Sequence, residues 1–258
     1  MNDQYAQRIA GACGLASLAL FLVEFPIYFL RGPLPSVTSA TLPAYSARNA
    51  TNMLVVVFLD LLIYCLFLVF LSGLRQRLAQ AQAACTWLAD LVFGAGVVYT
   101  TLTLAADACQ GAIALDARSA QPDPVVIRTL MESQYLLFGS VGLILIALLL
   151  AGASWATLAS RALPRWTAWL GLAAAALCLA FVPSMFAGAP DLGAFYNPAG
   201  WGTTGVIAGF PLAAWMLVVS LQMVRDPRAG GVTTRSSARR AGSALAAAPK
   251  DLRTRGHL

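Results

Sequence analysis

The sequence is poor in charged residues and in histidine. Asp, Glu, Lys and Arg make up 11% of its 258 residues, whereas soluble proteins have about 25%. The single histidine, His257, is the penultimate residue, which argues against histidine metal sites, Ser-His triads and haem held by imidazole. The five cysteines form no CxxC pair, and disulfide exchange requires paired thiols. These shortages argue against a water-soluble fold and against the common catalytic and metal centres.

Long apolar stretches take the place of charge. Hydrophobic residues make up 59% of the chain, and the mean hydropathy is +0.72. A helix needs about 20 apolar residues to cross the bilayer core, and six stretches are that long. They lie at about 9–30, 51–73, 85–106, 134–158, 165–187 and 201–224. Since a β-barrel would show short alternating segments, the sequence predicts an all-α polytopic membrane bundle with six transmembrane helices within residues 1–224.

Positive charge is unevenly distributed among the segments that connect these helices. If the N-terminus is cytoplasmic, the inner segments and their borders hold thirteen of the seventeen Lys and Arg residues. The loop between the last two helices, on the other side, holds none. Because Lys and Arg accumulate on the cytoplasmic side, the sequence predicts that both termini are cytoplasmic and that the three longer loops lie outside.

The net charge of +6 comes entirely from the C-terminal segment 225–258, which holds eight basic and two acidic residues. A basic segment rich in Ser, Gly and Ala is typical of a disordered tail that contacts anionic lipid head groups. The sequence predicts such a tail on the cytoplasmic side. Binding of RNA or DNA by its RSSARR stretch is a disfavoured alternative.

Three acidic residues interrupt the apolar stretches: Glu24, Asp60 and Asp90. A charge at the bilayer centre costs at least about 2.5–3.5 kcal/mol, so such residues face the bundle interior or water. At about 1.5 Å per residue, Glu24 and Asp60 lie roughly 9 and 14 Å below the outer helix ends, which allows them to share a cavity. Asp90 lies near the inner end of the third helix, where the helix dipole and Arg75 or Arg77 explain its presence.

Other polar side chains of the first four helices fall on the same outer side. Tyr28 and Tyr64 each follow an acid by four residues and share its helix face. The candidate ligand-binding residues are Glu24, Asp60, Asn52, Tyr99, Thr103, Asp107 and Tyr135. Hydrogen bonding that only fixes helix packing is the competing interpretation, and a two-carboxylate catalytic pocket is a third. No residue is predicted as catalytic or as a metal ligand, and the sequence does not identify a cofactor.

Gly205 and Gly209 form a GxxxG pair, which permits close approach of two helices. Packing within the chain is the favoured interpretation. A homodimer interface, or a contact with another membrane protein, is the alternative.

The stretch SRALPRWTAWLGLAAAALCLA, residues 160–180, resembles the LPRW-x-x-W-L-G helix start of many bacterial six-helix membrane proteins. These are grouped as a domain of unknown function similar to the DUF4386 family. The stretches RIAGACG, SARNATN and LRQRL are also similar, so the resemblance covers about residues 8–224. It implies a six-helix fold in a bacterial inner membrane, and it implies no activity and no functional residues.

Together these patterns favour a non-enzymatic, multipass protein of the bacterial inner membrane. Around Glu24 and Asp60 it would bind or transport a small or lipid-like ligand, or an ion, in an outward-facing polar cavity. The alternative is an accessory or structural subunit of a larger membrane complex, which would use the outer loops, the GxxxG pair and the basic tail as contacts. A membrane-embedded enzyme is the third hypothesis; the sequence leaves it open and does not favour it.

Overall fold

The computed structural model describes residues 3–31, 35–188 and 190–225, and most of this part is helical. Its seven α-helices are α1 (Asp3–Leu30), α2 (Leu42–Ala81), α3 (Thr86–Asp116), α4 (Pro124–Leu136), α5 (Gly142–Ser160), α6 (Arg165–Phe181) and α7 (Phe210–Arg225). Short 3-10 helices lie at Ala83–Cys85 and Val182–Phe186, and π-helical segments at Leu137–Val141 and Trp201–Ile207. Apart from Arg225, the predicted basic tail lies outside the described residues.

Six helical stretches of the described chain are long and apolar enough to cross a membrane. Three are the helices α1, α2 and α3. The fourth combines α4, a π-helical turn and α5, and the last two extend α6 and α7 by their short neighbouring helices. The predicted all-α, six-span fold class is therefore confirmed, whereas the cytoplasmic position of the termini stays a prediction.

Two helices extend well beyond the predicted spans. α2 begins at Leu42 instead of about residue 51, and α3 continues to Asp116 instead of about residue 106. The extensions are less apolar than the spans, so hydropathy alone does not predict them. Their polar residues are nevertheless compatible with a helix. The amide of Asn49, for example, donates to the carbonyl of Tyr45 one turn earlier, at 3.1 Å. Apolar residues of both extensions also pack against α4, around Leu42, Ile113 and Ile127.

The six spans form a closed ring. Each span packs against the next along the chain, and α7 packs back against α1. The C-terminus of α1, residues 35–41, 117–123 and 190–200 lie at one end of this ring, which we call the loop end. Towards the opposite, N-terminal end, large side chains fill the interior, among them Phe70, Leu74 and Trp215.

Small residues allow α1 to approach its neighbours closely. A Cβ atom at Gly14 would meet Phe70 of α2 and Ser220 of α7, and one at Gly73 would meet Ala10 of α1. These contacts close the N-terminal half of the ring.

Asp90 is bound as the sequence predicts. Its Oδ1 accepts a hydrogen bond from Nε of Arg75 at 2.6 Å. Arg77 instead donates to the carbonyl of Ala162 at 3.1 Å. Because the Arg75 and Asp90 side chains are each about half exposed, the ion pair contributes little stability and has a structural role near the membrane border.

The close contact of Gly14 with α2 and α7 can be tested by a larger side chain. Gly14→Leu should destabilise the protein by about 1–3 kcal/mol, because the added side chain overpacks the α1–α2–α7 contact. Gly94→Leu is the matched control, since Gly94 is exposed on α3 and no atom lies within 4 Å of its would-be Cβ. Thermal unfolding in one detergent should show a lower Tm for Gly14→Leu alone. Equal Tm values for both variants would contradict this packing.

Candidate functional site

A cavity of about 520 Å³ occupies the loop-end half of the ring, where α1, α2, α3, α4 and α7 surround it. Its volume lies within the roughly 300–1,000 Å³ range of small-molecule sites. Most of the wall is apolar, with Phe21, Phe25, Phe67, Phe138 and Leu212 among the lining side chains. Ligand sites combine such a wall with a few placed polar groups, and the polar groups here are concentrated on α1, α2 and α3.

Three carboxyl groups lie side by side on this wall: Glu24 of α1, Asp60 of α2 and Asp107 of α3. We call them the carboxyl row. Asp60 is in the middle, within hydrogen-bonding reach of both other carboxyl groups. The three residues are 4%, 8% and 7% exposed, so the row is buried inside the bundle.

The carboxyl row forms no ion pair in the described structure, although Arg31 on the same cavity wall is near enough to attract Glu24 and Asp60. The ion pairs found there join Arg75 to Asp90 and Arg128 to Glu132, away from the cavity. Oε2 of Glu24 and Oδ2 of Asp107 also accept no hydrogen bond from the described residues. A buried charge without a partner is strongly destabilising. Two carboxyl groups hydrogen-bond to each other only when one carries a proton, so the row holds at least one proton. Any negative charge that remains needs a cation that the ion pairs of the described residues do not supply.

Aromatic rings surround the row. The ring centroids of Tyr64 and Tyr99 are 6.2 Å apart, and each lies within 6.5 Å of the Phe67 centroid. The side chain of Tyr28 lies close to the Glu24 carboxyl group. Thr103 stands behind the wall, where its hydroxyl donates to the carbonyl of Tyr99 at 2.9 Å. This arrangement presents aromatic rings and carboxyl oxygens to the same space.

Nearer the loops, Arg31 forms part of the cavity wall. Its guanidinium carbon lies 4.4 Å from the Tyr28 ring centroid, and its Nη2 donates to the backbone carbonyl of Asn52 at 3.3 Å. Gln134 donates to the side-chain oxygen of Gln110 at 2.8 Å on the same wall. Arg31 is thus held at the rim and forms no ion pair with the row in the described structure.

The structure brings five of the seven predicted site residues to one wall: Glu24, Asp60, Tyr99, Asp107 and Tyr135. Asn52 and Thr103 do not line the cavity; they contact residues that do. Sequence reasoning missed Arg31, Gln110 and Tyr45 as lining residues. Helical spacing could have found the first two, since Arg31 follows Glu24 by seven residues and Gln110 follows Asp107 by three.

The cavity opens between the end of α1 and the start of the last span. The exposed lining residues there are Tyr28, Trp201, Gly205 and Phe210. No atom lies within 4 Å of a would-be Cβ at Gly205, whereas one at Gly209 would contact Phe21 of α1. Both glycines border the cavity, but only Gly209 packs against another helix of the described chain, and a homodimer through the pair stays a prediction.

No protein-family model, no curated protein and no solved structure matches this chain. The resemblance to the DUF4386 family stays a prediction, and the function has to be argued from the cavity.

If the cavity is filled with water, residues that line it should be accessible to water-soluble reagents. In a background without the native cysteines, Thr204→Cys should react with a membrane-impermeant cationic methanethiosulfonate reagent, because Thr204 lines the cavity. Thr101→Cys is the control. Both hydroxyls donate to the carbonyl four residues earlier, and Thr101 is the more exposed of the two, on a face of α3 outside the cavity.

Labelling followed by mass measurement should show a rate at Thr204→Cys on the order of tenfold higher, since a thiol in lipid stays protonated and unreactive. Faster reaction at Thr101→Cys would mean that the cavity holds no water.

Proposed function

We propose that this chain binds, and holds or transports, a small amphipathic, lipid-like ligand in an outward-facing cavity of the bacterial inner membrane. The observation that supports the proposal is the loop-end cavity, which has an apolar wall and a buried carboxyl row on one side. A ligand with an apolar body and a polar end matches both parts of this wall.

The apolar wall favours an organic ligand over a hydrated ion. Phe21, Phe25 and Phe210 pack edge to face, with centroid distances of 5.4 Å between Phe25 and Phe210 and 6.1 Å between Phe21 and Phe210. Together with Phe67 and Phe138 they line the cavity. Burial of apolar surface stabilises a complex by about 25 cal/mol per Å², and a bare ion gains nothing from it.

The position of the opening favours a ligand that comes from the membrane. Gly205 and Phe210 are exposed at the seam between α1 and the last span, and both belong to a stretch apolar enough to cross the bilayer. A lipid-like molecule in the adjacent leaflet reaches the cavity through this seam without crossing the loops.

The outward direction rests on the distribution of charge. Of the ten arginines among the described residues, six lie at the N-terminal end of the ring, opposite the cavity, and four lie at the loop end. Cytoplasmic loops are enriched in Arg and Lys, which supports placing the loop end, and with it the cavity, on the outer side.

Three decyl compounds test the proposal in phosphatidylcholine nanodiscs: decyltrimethylammonium, decanol and decanoate. At a free concentration 100 times Kd, a ligand stabilises the folded state by about 2.7 kcal/mol. At least one of the three should therefore raise the Tm by several degrees.

Gly205→Trp should abolish this rise, because the indole fills the opening. Gly94→Trp is the matched control, since Gly94 also has open space around it but lies outside the cavity.

If no decyl compound raises the Tm of the wild type, the proposal fails. A stoichiometric protein partner after purification in mild detergent would then favour the accessory-subunit alternative. A rise that persists equally in both tryptophan variants would show binding outside the cavity and would also count against the proposal.

A further inference from the structure

We infer that the ligand of this cavity is an amphipathic cation, with an ammonium-type head against the carboxyl row and an apolar tail against the phenylalanine wall. The inference rests on the proposed function and names its substrate class. The carboxyl row alone does not carry it. Two further observations do: the unpartnered buried oxygens of the row, and the aromatic rings around it.

The first observation concerns charge. Glu24 and Asp107 line the cavity and are more than nine-tenths buried, and one carboxyl oxygen of each is enclosed by protein without a hydrogen-bond partner among the described residues. The nearest basic residue on the wall, Arg31, donates to the Asn52 carbonyl and lies over the Tyr28 ring. Arg31 is near enough to attract Glu24 and Asp60 but forms no ion pair with either. A ligand that brings a positive charge would pair with the row directly, and an anionic ligand would add to the repulsion.

The second observation concerns the rings. Aromatic faces attract organic cations within about 6 Å and are used to recognise ammonium groups. Tyr64 and Tyr99 line the same wall as the row, whereas the Tyr28 ring is already covered by the Arg31 guanidinium. The electrostatic field of an aromatic face attracts a cationic head group, whereas it distinguishes little between different neutral tails.

The arrangement fits an organic cation better than a metal ion. Among the described residues, no group of three or more His, Cys, Asp or Glu side chains is arranged so that it could hold a metal ion. Asp60 stands between Glu24 and Asp107, so the carboxyl groups form a row instead of converging on one point. A metal ion needs convergent oxygens at about 2.0–2.6 Å, whereas an ammonium head interacts with several carboxyl groups at longer range.

The test compares affinities in phosphatidylcholine nanodiscs at one pH and ionic strength. The probes are decyltrimethylammonium, decanol, decanoate and tetramethylammonium. The wild type should bind decyltrimethylammonium most tightly. The double variant Glu24→Gln, Asp107→Asn keeps the side-chain shapes and should weaken cation binding on the order of 30-fold or more. Its affinity for decanol should stay unchanged, which also shows that the variant is folded.

Glu132→Gln is the matched control. Glu132 is an acid on α4 near the same end of the bundle, paired with Arg128 and absent from the cavity wall. This variant should bind every probe as the wild type does. A loss of cation binding here equal to that of the double variant would show that general surface charge attracts the probe, and would overturn the inference.

Unchanged cation binding in the double variant would overturn the inference. The remaining outcomes are decisive as well. If decanol or decanoate binds the wild type as tightly as the cation does, the inference fails while the proposed function stands. Tetramethylammonium binding as tight as that of its decyl homologue would show a site for a small cation and overturn the amphipathic class. If no probe binds, the inference and the proposed function fail together.

Discussion

The structure of the loop end depends on one electrostatic constraint: three buried carboxyl groups lie side by side and form no ion pair with the described basic residues. In a medium of low polarity, an isolated charge is far more costly than a neutral polar group. The ring nevertheless places Glu24, Asp60 and Asp107 on three different helices that meet at one cavity. The proposed ligand would offset this cost from inside the cavity.

The two ends of the ring differ in how closely their helices approach. At the N-terminal end, Gly14 and Gly73 bring α1 against its neighbours, and large side chains fill the interior. At the loop end, two spans depart from the α-helix, at Leu137–Val141 and Trp201–Ile207. Such π-helical turns are frequent at functional sites. The first of them is fixed by a 3.2 Å hydrogen bond between Ser140 and Ser184. These irregular turns leave room at one end of an otherwise tightly packed bundle.

Hydropathy predicts the six spans because each must supply about 20 apolar residues in an unbroken stretch. Spacing along one helix likewise places Tyr28 beside Glu24. Neither hydropathy nor spacing along one helix predicts which side chains of different helices contact each other. The contact of Asp60 with Asp107 depends on the rotation of α2 against α3, and the Arg31 bond to Asn52 uses a backbone carbonyl that no side-chain pattern reveals. The π-helical turns escape prediction as well, because a few residues of wider turn barely alter hydrophobic periodicity.

The interpretation of the polar groups as packing elements can be compared with the hydrogen bonds that the structure contains. Ser17 donates to the Ile63 carbonyl and Gln110 to the Met53 carbonyl, each at 3.1 Å. These bonds join one helix to the next, as packing elements do. Glu24 and Asp107 instead line the cavity, and each has one enclosed carboxyl oxygen without a hydrogen-bond partner among the described residues. An unpartnered hydroxyl costs little, but an unpartnered carboxylate costs far more. A neutral lipid would not offset the cost of the buried carboxyl oxygens. A bare ion would not bury the apolar wall. A single ligand with both features satisfies the whole surface.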